Sequence, residues 1–270
     1  MESEIDTGVE PVPPPPLPPA PQPRPWGFWA TIGLSLVLIV AVMFAEIVVF
    51  LIGVLCTRPA SVDAVKEAVF ALENNGILLS LSTLAATPIC LTLSFVFVKL
   101  RRGMTIRDYF GLRWIGWRRL AMWCVVLGVY LLVFAILGFV IDRPFIEDFR
   151  LNVYSTVYST TFAKALLWFA LILVAPLQEE VLFRGFVFKG FRHSWVGAVG
   201  AIVLPSLVWA ALHVQYDLFD ISAIFVGGLL MGYARLRTDS IYPPLMMHAL
   251  MNLIATIEVD LYMRFTTPGA

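Results

Sequence analysis

Residues 178–184 read Gln-Glu-Glu-Val-Leu-Phe-Arg, inside an apolar run that starts near Ala165 and continues past Phe188. Two adjacent carboxylates in such a run are costly, since a charge at the centre of a bilayer is penalised by ~3 kcal/mol on insertion scales. A chain that keeps both needs partners for them and a use. On a helix, Glu180 and Arg184 stand at i,i+4 and can pair. Glu179 points ~100° away, and the residue one turn on from it is Phe183, so it has no local cation. The chain has three histidines, and His213 and His248 also sit in apolar runs. Asn252 follows His248 at i,i+4, so one helical face presents both. Glu179 is suited to act as a base on a water, histidine to share that water, and the Asn252 amide to donate to a developing oxyanion. These are parts of a hydrolase that uses an activated water. HExxH and GxSxG are both absent, and no serine or cysteine stands out as a nucleophile.

What positions these residues is read from composition. The 270 residues are 59% hydrophobic and 14% charged, with mean hydropathy +0.83. Soluble domains carry about 25% charge, so the expected fold class is an all-α, polytopic transmembrane helical bundle with a buried polar active site. Net charge is zero, which gives no support for nucleic acid as a partner. Cys56, Cys90 and Cys124 have no CxxC spacing and an odd count, and are read as packing residues.

Residues 1–25 are proline-rich and are expected to form an extended, disordered tail that is not a signal peptide. Roughly seven spans follow: Trp26–Cys56, Ile77–Leu100, Ala121–Ile141, Thr161–Gly190, Val196–His213, Ile221–Arg235 and Ile241–Ile257. Lys99, Arg101, Arg102, Arg107, Arg113, Arg118 and Arg119 crowd one connection and place it in the cytoplasm. The middle of that connection, Ile106 to Trp117, mixes charge with aromatic residues and is expected to lie on the membrane surface as a short amphipathic segment. Lys189 and Arg192, then Arg235 and Arg237, mark the cytoplasmic side again, so the N-terminus is expected inside and the C-terminus outside. Pro176, three residues before Glu179, frees a backbone carbonyl and can kink the helix at the site. Gly228-x-x-x-Gly232 allows close helix contact. The seventh span reads as broken near its start by Pro243-Pro244, with Glu258 and Asp260 beyond its end. Glu46 reads as a residue near the far interface, with an inward-facing functional site as the alternative. Counting from the basic loops at ~1.5 Å per residue puts Glu179 ~15–20 Å deep, His248 ~16 Å and His213 ~25 Å.

Each feature has a plainer alternative. Glu180 and Arg184 can be an ion pair that mainly holds a helix, His213 a satisfied core histidine, and His248 with Asn252 a bridge between helices. Intramembrane Glu and His also build proton relays in transporters.

In order along the chain, Glu179-Glu180-x-x-x-Arg184, Trp209-x-x-x-His213 and His248-x-x-x-Asn252 resemble the three-part signature of the CPBP family. Its members are the CAAX prenyl protease type II and bacteriocin-processing, Abi-like intramembrane proteases. The resemblance covers about Leu166 to Ile257, within an expected catalytic helical core over residues 161–260. The N-terminal helices with the amphipathic segment occupy residues 26–160, and a C-terminal tail residues 261–270. Trp209 departs from the phenylalanine usual in the second motif and keeps an aromatic wall. The resemblance implies an intramembrane endopeptidase in which Glu179 and His213 activate water, His248 and Asn252 stabilise the oxyanion, and Glu180 and Arg184 support the site. Members are described both as metal-dependent and as glutamate-dependent; if a metal is bound, zinc on Glu179, His213 and His248 is the set implied. The expected partners are the lipid bilayer and a membrane-associated protein or peptide substrate, and the expected location is a bacterial inner membrane. A non-catalytic immunity or adaptor protein that binds a partner through the same cavity is the alternative.

Overall fold

The computed structural model describes residues 23–144 and 146–266, so the expected proline-rich tail up to residue 22, and residues 267–270, lie outside the described residues. The described residues form helices joined by short connections, with no strand among them. Helix α1, Phe28–Cys56, buries Thr31, Ser35, Leu38, Val42 and Ala45. That spacing makes one narrow stripe, mostly of small side chains, which is how membrane helices approach closely. The stripe packs on α3, Gly76–Leu100. The remainder of α1 exposes Leu36, Val40, Phe44 and Leu51, as a lipid-facing surface would.

Between these two spans lies α2, Val62–Glu73, whose N-terminus is capped by Ser61 Oγ. Asn75 Oδ1 caps α3 by accepting from Leu78 N–H at 3.0 Å. After α3 comes α4, Ile106–Phe110, started by Thr105 and ended by Gly111 at φ 66. The expected surface segment is thus anchored inward: Tyr109 and Phe110 are buried, and Tyr109 stacks on Phe186 at 5.6 Å. Gly185 makes the room, because a Cβ there would stand 2.5 Å from Phe110 Cδ1. Only the later aromatics, Trp114 and Trp117, remain exposed, edge to face at 4.7 Å.

Next come α5, Trp117–Val140, and α6, Asp148–Ser155, the latter within the connection between the third and fourth spans. The fourth span is one long helix, α7, Thr161–Arg192. Then follow α8, Gly197–Ala211, α9, Leu218–Thr238, and α10, Tyr242–Thr266. Among the described residues six helices are long and apolar enough to cross a membrane, and α8 is a seventh, shorter apolar helix. Its 15 residues span ~22 Å at 1.5 Å each, less than the ~30 Å hydrocarbon thickness. It ends before His213, which the sequence had placed at the end of the fifth span.

Two further expectations are corrected. Pro243-Pro244 do not break α10; they occupy its first turn, where no N–H partner is needed. Glu258 and Asp260 lie on α10 rather than beyond it, because partners on other elements hold them there. Arg150 Nη1 reaches Glu258 at 3.6 Å, and Tyr154 Oη donates to Asp260 Oδ1 at 2.7 Å.

The basic connections gather at one end of the bundle. Asp239, in the left-handed conformation at φ 49 after α9, accepts from Arg113, Arg192 and Arg235 at 3.0, 3.2 and 3.1 Å. Gly228 and Gly232 set α9 against α8: a Cβ would stand 2.9 Å from Ser206 Cβ and 3.1 Å from Ile202 Cγ2 respectively.

Candidate active site

Helix α7 is not a uniform α-helix. A turn of ordinary helix, Ala175–Glu180, lies between two π-helical segments, Ala170–Val174 and Val181–Val187. In the first, Ala175 N–H bonds to Ala170 O, five residues back. In that register the next donor due, for Leu171 O, is residue 176, and Pro176 has no N–H. Asn252 on α10 supplies it instead, donating from Nδ2 at 2.7 Å. In the second segment, Arg235 Nε on α9 donates to Arg184 O at 3.0 Å. Wide turns of this kind recur at functional sites, and here they bracket Glu179 and Glu180.

Glu180 is fully buried and Glu179 one quarter exposed. Glu180 Oε1 accepts from Arg184 Nη1 at 2.8 Å and from His248 Nδ1 at 2.9 Å. Arg184 is itself locked: Nη2 lies 3.4 Å from Gly228 O, and its guanidinium carbon 4.5 Å over the Trp209 ring. Glu179 Oε2 accepts from Trp209 Nε1 and lies 4.0 Å from His248 Nε2. His213 Nδ1 meets Trp209 O at 2.7 Å. Carbonyls and carboxylates accept, so Nδ1 carries the hydrogen in both histidines. Each Nε2 is then left toward the site, and the Trp209 ring packs between, 5.3 Å from His213 and 5.2 Å from His248.

The family model described as type II CAAX prenyl endopeptidase Rce1-like matches residues 161–254. An uncharacterized 24.3 kDa protein of Escherichia coli is 32% identical over 159 residues, covering 57% of this chain and 69% of that relative. The chain belongs to the Rce1-like family. No solved structure matches it.

Glu179, Glu180, Arg184, His213, His248 and Asn252 all fall inside the matched Rce1-like region. With Trp209 they lie on or beside α7, α8 and α10. Glu179, His213, His248 and Asn252 line one cavity of about 710 Å3. Its lining also includes Glu46, Arg143, Glu147 and Arg150. Arg143 is paired to Asp217 and Asp220, and Arg150 to Glu147.

Among the described residues no three His, Cys, Asp or Glu side chains converge as a metal site. Trp209 donates to Glu179 Oε2, the same oxygen that lies 4.0 Å from His248 Nε2. Glu179, His213 and His248 as placed do not fit a tetrahedral ion.

Sequence reasoning found the polar set but missed three participants. Trp209 is a hydrogen-bond donor to Glu179, not only a wall. Gln178 Oε1 accepts from Thr87 on α3 at 2.8 Å, tying the turn to a neighbouring span. Arg235, read only as a topological charge, is fully buried beside Arg184. The signal available for Trp209 was its i,i+4 spacing to His213; for Arg235 there was none.

Proposed function

We propose that the protein is an intramembrane endopeptidase that hydrolyses a peptide bond of a membrane-associated protein or peptide with a water activated by Glu179 and His213, without a metal. The observation that supports this most is Glu179 itself. It is a carboxylate on a cavity wall inside a membrane span, oriented by Trp209 and facing His248.

A water between Glu179 and His213 gives its proton to Glu179 as its oxygen bonds to the scissile carbonyl carbon. The carbonyl oxygen takes the negative charge. Glu180 holds His248 at Nδ1 and so sets its Nε2 edge toward the same place. One amide hydrogen of Asn252 is committed to Leu171 O; the second can serve the oxyanion. The C–N bond then breaks and Glu179 returns the proton to the leaving nitrogen. Glu180 and Arg184 neutralise each other within the bundle and fix His248.

The location that fits is a bacterial inner membrane with the N-terminus inside, supported by the basic connections at one end of the bundle. The experiment is a trap: Glu179→Gln carrying a photo-crosslinker in the cavity wall is expected to retain a membrane peptide that the active protein releases as fragments. Retention of the same intact peptide by wild type and variant alike would favour a binding protein instead.

A further inference from the structure

Arg235 takes no part in the chemistry above, yet it is wholly buried on α9. Its Nε donates to Arg184 O at 3.0 Å, its Nη1 reaches Asp239 Oδ1 at 3.1 Å, and its guanidinium carbon lies 5.1 Å from the Phe188 ring centroid. Gly111 leaves the space it needs, since a Cβ there would stand 2.7 Å from Arg235 Nη2. A buried guanidinium is expensive, and its charge is not what the surroundings lack. Asp239 already has Arg113 and Arg192, and an apolar side chain would fill the place beside Phe188. The contribution particular to Arg235 is the hydrogen bond to Arg184 O.

That carbonyl belongs to the second π segment. The arrangement mirrors the first segment, where Asn252 holds Leu171 O. The turn carrying Glu179 and Glu180 is thus flanked by two wide turns, each with a carbonyl held from another span. If a wide turn closes to ordinary helix, the residues on its two sides rotate by ~100° relative to each other. Closing the second would leave Glu180 and Arg184 at pairing distance but turn Arg184 away from Gly228 O and the Trp209 ring on neighbouring spans, and the Glu180 oxygen on which His248 rests would shift with it.

We propose that Arg235 is a positioning residue for the reaction: by holding Arg184 O it keeps the second π segment open and fixes the Arg184–Glu180–His248 chain that sets the His248 ring against Glu179. The inference rests on the roles given to Glu179 and His248 in the preceding section.

Three histidines make the test tractable. In protein labelled with nitrogen-15 histidine, single-histidine substitutions assign each ring. In wild type the His248 Nδ1 resonance is that of a ring bonded to a carboxylate. Arg235→Met is expected to shift it toward a ring without that partner, while His213, bonded only within its own chain turn, stays unchanged. Asp239→Asn weakens the ion pairs but spares the Nε bond, and is expected to leave His248 unchanged. If Arg235→Met gives no folded protein, Arg235→Lys, which keeps the charge but loses the Nε donor, is read in the same way. With any cleavable peptide the expected signature is a kcat lower by about 10²-fold at unchanged KM. An unchanged His248 resonance in folded Arg235→Met or Arg235→Lys, or an equal shift in Asp239→Asn, overturns the proposal. Failure of the hydrolase reading looks different: Glu179→Gln would still cleave, whatever the resonances show.

Discussion

Asn252 Nδ2 stands 2.7 Å from the carbonyl oxygen of Leu171, on a different span. The contact exists because the π register moves the carbonyl orphaned by Pro176 from residue 172 to residue 171. In hydrocarbon an unsatisfied carbonyl is costly, so Asn252 has a structural task beside any catalytic one. Asn252→Ala should lower the thermal unfolding midpoint by the equivalent of roughly 1 kcal/mol as well as slow cleavage by ~3 kcal/mol of transition-state stabilisation. Thermal unfolding in micelles reads the first effect, and loss of rate with an unchanged midpoint would assign Asn252 to chemistry alone.

Arg184 is held by Glu180, Gly228 O and the Trp209 ring. Arg184→Ala leaves Glu180 buried and uncompensated, at a cost of roughly 3–5 kcal/mol, so folded yield should fall steeply. Glu180→Gln together with Arg184→Gln should recover part of it, since two neutral amides can still bond. Yields for Arg184→Ala equal to wild type would remove the structural role of the pair.

Asp239 lies outside the spanning segments. Burial pushes its carboxyl up, but Arg235, Lys189 and Arg192 outweigh burial and hold it below the usual range. A depressed folded-state value means that its contribution is present above the unfolded value, about 3.9, and is lost as pH falls through the folded one. The unfolding midpoint of wild type should therefore drop below about pH 4 more than that of Asp239→Asn. Parallel acid profiles would show that Asp239 does not hold the three arginines together.

Much of this was legible in the sequence, for local reasons. The span order followed from hydropathy, and the Glu180–Arg184 pair from i,i+4 spacing. The approach of Glu179 to His248 followed from two polar interruptions at similar depth, while the count put His213 deeper. The rest depends on partners distant in the chain. The π segments have no local code, because their carbonyls are held by Asn252 and Arg235 from other spans. The inward anchoring of α4 depends on Gly185, some 75 residues further on. α10 runs on to Thr266 through Glu258 and Asp260 because Arg150, Tyr154 and Lys164 neutralise or bond them. A charge that ends a span in a sequence reading does not end it when another element supplies its partner.

The orientation rests on the basic residues between Lys99 and Arg119. A single cysteine at Arg107, in a background free of native cysteines, should resist an impermeant maleimide added from outside, and one at Asp142 should react. Reaction at Arg107 in sealed cells would invert the topology.

The central claim is that Glu179 is the base on a water shared with His213. Glu179→Gln keeps the size of the side chain and can still accept from Trp209, but it cannot take a proton. The most direct measurement is cleavage of the trapped peptide by purified Glu179→Gln, His213→Ala and the double variant, each verified as folded. Each single change should cost roughly 10²–10⁴ in rate, and the double little more, because groups acting on one water are not additive. Activity of the wild type should persist after chelation. Cleavage by folded Glu179→Gln at the wild-type rate, or losses in the two singles that multiply in the double, would contradict the account.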